Sequence, residues 1–415
     1  MQSLSGLLFS RSVGGKYMSA WNSLLCIISL LATLLHVTPE HSKDKIVHIE
    51  PNLNKIYSWT IIGAGPAGIV TLGLLLEQGI QACDILWIDQ YFNVGDLGRY
   101  YKQVPGNTPT QSFIEFIQCC SAFRECASPA IDRLYTYDLH TTYPLHIIIE
   151  PLQDITYHLL KKVPGLKGHV RTIDYKQNEK SFDITTCNGV YRSSNVILAT
   201  GCHPRTLNYP CKDVIPLEIA LDSKALEKTI SKRDTIAVVG SSHSAVLTLK
   251  NLCDISASRI INLYKQQIKT FLDTDGSTIV GTRPQEPLGG QTAAWAQQTL
   301  LGTCPAHLIR LYNNKEARNA WLPICTKIIY AIGFDRNIIR VDGQPVTSYD
   351  DHTGVIAPGL FGIGIAFPER IDDSESYKIG LYDFMEYAQK TVPLWAMRRF
   401  NHCAKFDELF NIVQL

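Results

Sequence analysis

The chain has 415 residues, 45% of them hydrophobic, and carries 39 Lys plus Arg against 38 Asp plus Glu for a formal net charge of +1. That length and apolar content suit two to three folded domains and exclude a disordered chain. The even charge balance excludes a basic nucleic-acid surface and an acidic tail. The 12 cysteines form no C-x-x-C pair and no Cys/His cluster at zinc spacing, so no metal site is expected. Cys119 and Cys120 are adjacent, with Cys126 following, and adjacent cysteines rarely bridge each other. Reduced thiols fit a cytoplasmic or cytosol-facing protein.

In chain order, the first feature is the uncharged run WNSLLCIISLLATLLHV at 21–37, preceded by Arg11 and Lys16 and followed by Lys43 and Lys45. It sits at the lower limit for crossing a bilayer, its flanking charges set no orientation, and no convincing signal-cleavage site follows. A membrane anchor within segment 1–50, a signal peptide, a packed helix and a true start near Met18 are the readings it leaves open.

From residue 56 onward short apolar strands alternate with helical segments, the pattern of βαβ units and a parallel sheet. Ile56 to Ile62 reads as a strand, Pro66 to Gln78 as an apolar helix and Asp84 to Asp89 as a second strand. The stretch HVRTIDYKQNEKSFDITTCNGVYRSSNVILATG reads as a meander of three strands, ending in the apolar VILAT at 196–200. The opening pattern then recurs in TIAVVGSSHSAVLTL at 235–249, with a further strand at Arg259 to Lys265. TKIIYAIGF at 326–334 and GLFGIGIAF at 359–367 are late apolar strands ending in glycine. The expected fold class is α/β, with two Rossmann-like three-layer domains, the second inserted in the first. The expected boundaries are 56–210 and 327–395 for the first domain, 211–326 for the insert, and 396–415 for a C-terminal segment.

The first glycine turn, GAGPAG at 63–68, follows a strand, opens a helix and has Asp89 at the end of the next strand. Gly63 permits a sharp turn, Gly65 permits close approach of a pyrophosphate and Gly68 permits tight helix packing. The helix start offers free N–H groups to phosphate, and the Asp89 carboxylate suits ribose hydroxyls. This is a dinucleotide site. The second turn carries Gly240, Ser242 and Ala245 at the three motif positions, with Ser241 and Ser244 adding hydroxyls. Lys265 follows its second strand, where a cation suits a 2′-phosphate and favours NADPH over NADH.

GAGPAG, the late Ala199-Thr200-Gly201, the second start GSSHSA, YAIGF with Gly333, and GLFGIGIA with Gly364 together resemble the flavoproteins with two dinucleotide-binding domains. That group includes flavin-containing monooxygenases and pyridine-nucleotide disulfide reductases. The resemblance spans roughly 56–390. It implies that Gly63, Ala64, Gly65, Pro66, Ala67, Gly68 and Asp89 hold FAD, that Ala199, Thr200 and Gly201 close over it, and that the second turn holds NADPH or NADH. Gly333 and Gly364 end the two late strands and join the cofactor-binding set. QYFNVGDLGRYYKQVPGNT resembles the monooxygenase loop that borders the flavin, with Gly95, Asp96, Leu97 and Gly98 as the loop, Tyr100 and Tyr101 packing on it, and Asn107 and Thr108 near the rings. The chain departs from the pattern twice. Its linker NYPCKDVIPLEIALD lacks the Phe, Gly and His signature, and Gly364-Ile365 stands where relatives have Gly-Asp.

No cysteine pair lies where a disulfide reductase needs one; Cys119-Cys120 is the sole candidate. No nucleophile elbow and no paired carboxylates are visible, and no catalytic side chain can be assigned, His243 in GSSHSA reading as a turn residue before an acid. The expected function is an FAD-dependent oxidoreductase taking hydride from NAD(P)H, monooxygenase-like on a small-molecule substrate. The alternatives are a reductase without oxygenation and a non-catalytic FAD-binding protein.

Overall fold

Runs of aliphatic and aromatic residues buried on both faces of a sheet build the first half. Strand β1 (Ile56–Ile62) leads into helix α1 (Pro66–Glu77) and strand β2 (Ile85–Asp89). Helix α1 is buried from Ala67 to Leu75, as an apolar helix between a sheet and other helices must be. Pro66 opens it, where a missing N–H costs nothing. The chain then runs through α2 (Gly95–Tyr100), α3 (Thr110–Gln118) and α4 (His146–Leu160) before β3 (Gly165–Lys167).

The expected meander is present as β4 (Val170–Lys176), β5 (Ser181–Thr186) and β6 (Gly189–Leu198), each antiparallel to the next. Strand β6 does double duty: its first half pairs with β5, and its last residues pair in parallel with β1. The computed structural model describes residues 49–209, 213–268, 290–371 and 376–397. The run 21–37 and the segment from 398 lie outside them. Among the described residues no helix is long and apolar enough to cross a membrane.

The second half is a five-stranded parallel sheet. Its elements are β7 (Asp213–Val214), β8 (Thr235–Val239), α5 (His243–Asp254), β9 (Arg259–Tyr264), β10 (Leu308–Tyr312) and β11 (Lys327–Tyr330), in the sheet order β7-β11-β8-β9-β10. This corrects the expected boundary at 326/327. Lys327–Tyr330 lies between β7 and β8, so the second half continues to Tyr330. An apolar KIIY suits either sheet, and only pairing decides. The chain rejoins the first sheet at β12 (Arg340–Val341) beside β4, and β13 (Leu360–Gly362) pairs with β6. Helix α6 (Leu381–Met397) closes the first core: Trp395 stacks on Phe361 at 4.7 Å, and Phe361 on Trp59 at 5.7 Å.

The two crossings between the halves run side by side. Cys202–Pro204 pairs antiparallel with Phe334–Arg336. Asn337 fastens them: Nδ2 donates to the Thr200 carbonyl (3.0 Å), the Asn337 N–H donates to the Gly201 carbonyl (3.0 Å), Thr200 Oγ1 donates to the Asn337 carbonyl (3.1 Å) and Oδ1 meets His203 Nδ1 (2.8 Å). Asn337→Ala removes the two side-chain bonds and leaves the Thr200 carbonyl bare. It should lower stability by ~1–3 kcal/mol, read as a fall in the urea midpoint with unchanged slope; an unmoved midpoint would show the clasp to be idle.

Candidate dinucleotide sites

The two turns have one geometry. Gly63 has φ +115°, and a Cβ there would lie 2.2 Å from the Ala199 carbonyl oxygen; Gly240 has φ +137°, and its Cβ would lie 2.1 Å from the Ala331 oxygen. No side chain fits either contact. The Gly63 N–H donates to the Ile88 carbonyl (2.8 Å) and the Gly240 N–H to the Leu263 carbonyl (3.0 Å). The correspondence places Tyr264, not Lys265, at the position of Asp89; Lys265 follows, exposed, one residue later. It also places Gly333 in the second half, equivalent to Gly201, and outside the lining of the first cleft.

Gly68 and Gly65 are glycines for different reasons. A Cβ on Gly68 would lie 2.0 Å from the Gly63 carbonyl oxygen, so helix packing on the strand forbids it. A Cβ on Gly65 would meet only Gly95 Cα, at 4.0 Å. Nothing among the described residues needs Gly65 to be bare, and the open space in front of it is what a pyrophosphate against a helix start requires. The residues fit FAD on that ground.

Asp89 is anchored before it can serve a ligand. Its Oδ2 accepts the Ala64 N–H (2.8 Å), and its Oδ1 accepts those of Tyr91 (2.7 Å) and Phe92 (2.6 Å). Oδ2 keeps acceptor capacity for a ribose hydroxyl. The loop beyond is strained: Phe92 and the buried Val94 have φ 52° and 54°, which costs ~1–3 kcal/mol each. Gln153 Nε2 holds the Phe92 carbonyl (2.8 Å), and the Phe92 ring meets Trp87 edge-on at 5.0 Å. The strain sets Gly95 opposite Gly65.

These elements enclose a cleft of about 910 Å³. Of the expected residues, Gly63, Gly65, Pro66, Ala67, Asp89, Gly95, Leu97, Ala199, Thr200, Gly201 and Gly364 line it, with Asn107 and Thr108. Ala64 and Gly68 do not; they serve through Asp89 and through packing. Sequence reasoning missed His169 and Arg171 on the β3–β4 side, Cys202 and Asn337 at the crossing, and Tyr101's second role. Tyr101 lines the cleft and packs on the core of the second half beside Val104. No local pattern marks these residues; long-range pairing brings them in. Cys120 does not line this cleft; it is buried against Gly73 of α1.

At the second turn, Ser242 is exposed and its hydroxyl makes no cap bond to α5, leaving it free for phosphate. Ser241 and Ser244 are half-buried and Ala245 is buried. His243 is pressed against Pro105, and burial pushes its imidazole down to about 4. It is neutral at physiological pH. Because Asn107 and Thr108 follow Pro105 along one strand, the second turn opens toward the cleft.

No family model matches the chain. It is 30% identical over 385 residues to the monooxygenase AgnR1 of Paecilomyces divaricatus, covering 81% of this chain and 97% of that one. The chain belongs to the flavin-monooxygenase-like FAD/NAD(P)-dependent oxidoreductases. Among solved structures the fold is shared with a flavin-containing monooxygenase from Stenotrophomonas maltophilia (TM-score 0.53, 13% identity, 81% of this chain and 97% of that). It is also shared with the bacillithiol disulfide reductase Bdr from Staphylococcus aureus (TM-score 0.52, 12% identity, 83% and 100%) and with the cyclohexanone monooxygenase of Rhodococcus sp. Phi1 bound to NADP+ (TM-score 0.51, 14% identity, 82% and 83%). The enzyme is thus an FAD-dependent oxidoreductase that uses a nicotinamide nucleotide.

The two glycines separate on substitution. Gly68→Ala should destabilise the fold by ~1–3 kcal/mol through overpacking, whereas Gly65→Ala should keep the thermal midpoint of the apoprotein and lose bound flavin, scored by absorbance at purification. Equal thermal loss in both would refute the distinction. For His243 the unfolded value is about 6.5 and the folded value about 4, so its neutral form is favoured by folding. Stability should be complete above pH 6.5 and fall between 6.5 and 4. His243→Phe should flatten that limb of the denaturation midpoint against pH.

Proposed function

We propose that the chain is an NADPH-dependent flavin monooxygenase that binds FAD along the first turn and NADPH along the second. The carrying observation is that the cleft holds no pair of cysteines among its described lining residues. Among the described lining residues the cysteine is Cys202, and burial, with Asp96 and Asp335 nearby, pushes its thiol up to about 12. Disulfide exchange needs a thiolate. A cleft whose described lining holds one cysteine and no second thiol to pair with it supports oxygen chemistry over the reductase reading that the same fold permits.

Gly65 and the start of α1 receive the pyrophosphate, and Asp89 Oδ2 the ribose. Bound there, FAD supplies hydride acceptance and oxygen activation. The chain positions it: Ala199 to Gly201 and Gly364 border it, and Ile365 beside them brings no carboxylate. Ser242 and the start of α5 receive the second pyrophosphate. Tyr264, standing where Asp89 stands in the first half, brings no negative charge against a 2′-phosphate, and Lys265 beside it brings a positive one. These two residues support NADPH over NADH.

The test is spectroscopic. The purified protein should show a flavin spectrum that NADPH bleaches anaerobically, at least several-fold faster than NADH, and that air restores with release of peroxide when no substrate is present. Cys202→Ser should leave all three steps intact. Bound flavin that neither nucleotide bleaches, faster bleaching by NADH, or a Cys202→Ser variant unable to turn over would each overturn part of the reading.

A further inference from the structure

The two turns differ in what holds their carbonyls. In the first half Trp87, paired with Ile61 across β1 and β2, donates from Nε1 to the Gly63 carbonyl at 3.0 Å. In the second half the same place, opposite Val238, is taken by Asn262. Its Nδ2 donates to the carbonyls of Gly240 (2.9 Å) and Val238 (3.1 Å).

An indole N–H can only donate. A carboxamide has two ends, and turned over it would set Oδ1 against two carbonyl oxygens. Asn262 is fully buried, so no solvent would relieve that contact. Arg310, directly opposite on β10, backs the orientation that the two carbonyls demand and holds the other end of the amide. Its Nε donates to Asn262 Oδ1 at 3.2 Å, and a guanidinium has no acceptor with which to welcome the other end. Arg310 is itself held: Nη1 donates to the Leu300 carbonyl (3.2 Å), and the guanidinium lies 4.9 Å from the Tyr264 ring centroid.

We propose that Arg310 is a positioning residue for nicotinamide-nucleotide binding: through its hydrogen bond it orients the Asn262 amide, which fixes the Gly240 carbonyl and hence the turn whose N–H groups face the phosphates. This rests on the reading that residues 240–245 hold NADPH. Arg310 acts on the turn from beneath and not on the nucleotide.

The holoenzyme tests it by equilibrium titration with NADP+, together with flavin content and the NADPH KM and kcat. Arg310→Met should weaken NADP+ binding and raise KM about tenfold, with kcat and bound flavin unchanged. Arg310→Lys, whose ammonium can still donate to Oδ1, should recover most of the loss. In an Asn262→Ala background Arg310→Met should add less than about twofold. A full additional loss there would mean that Arg310 touches the nucleotide itself and would overturn the proposal, as would unchanged affinity or a matching loss of flavin. Asn262→Asp, which keeps shape but sets an oxygen against the Gly240 carbonyl, should weaken NADP+ at least as much as Arg310→Met; unchanged binding would likewise overturn it. A wild-type enzyme that binds no NADP+ would instead sink the reading of the second turn.

Discussion

The architecture turns on a steric exclusion. The carbonyl oxygen of Ala199 occupies the volume that a Cβ of residue 63 would need, and the carbonyl of Ala331 does the same at residue 240. Each contact joins the end of one strand to the start of the connection leaving its neighbour. It fixes where the first helix of each half begins, which N–H groups are left unpaired there, and where the chain can leave one half for the other. The free N–H groups of the two helix starts and the crossings between the halves are consequences of the same missing atom.

Much of this was legible because the local signals were strong. The strand–turn–helix of β1 and α1, the acid ending β2 and the meander of β4 to β6 follow from periodicity and turn residues. What was not legible depended on partners distant in sequence. KIIY at 327–330 is apolar throughout, and nothing in it says which sheet it joins. Lys265 lies one residue past the place of Asp89, a register that only the pairing of Gly240 with Leu263 reveals. Helix α4 contains Pro151, and α6 contains Pro393, so neither announces its length by composition. His169, Arg171 and Asn337 reach the cleft through sheet pairing alone.

Strain and anchorage are concentrated around the first site. Two residues with positive φ lie between Asp89 and Gly95, and the Asp89 carboxylate already accepts three N–H groups. Such a loop persists only because its neighbours over-determine it. It offers a wall opposite Gly65 that does not have to be ordered when a ligand arrives, which lowers the entropic cost of binding. Among the described residues around the second turn no non-glycine residue carries such strain; its order comes from buried polar contacts between strands.

The pairing of Cys202–Pro204 with Phe334–Arg336 has a consequence for how such a chain can be built. Pro204 and Phe334 are direct cross-strand neighbours, which in an antiparallel ribbon puts their Cα atoms about 4.5–5.5 Å apart. The inserted half therefore begins and ends at almost one point. A segment with adjoining ends can be excised, replaced or acquired whole without pulling the host strands from register. The ribbon makes the second half a cassette, and its exchange for another nucleotide-binding unit is a geometric operation on two neighbouring residues.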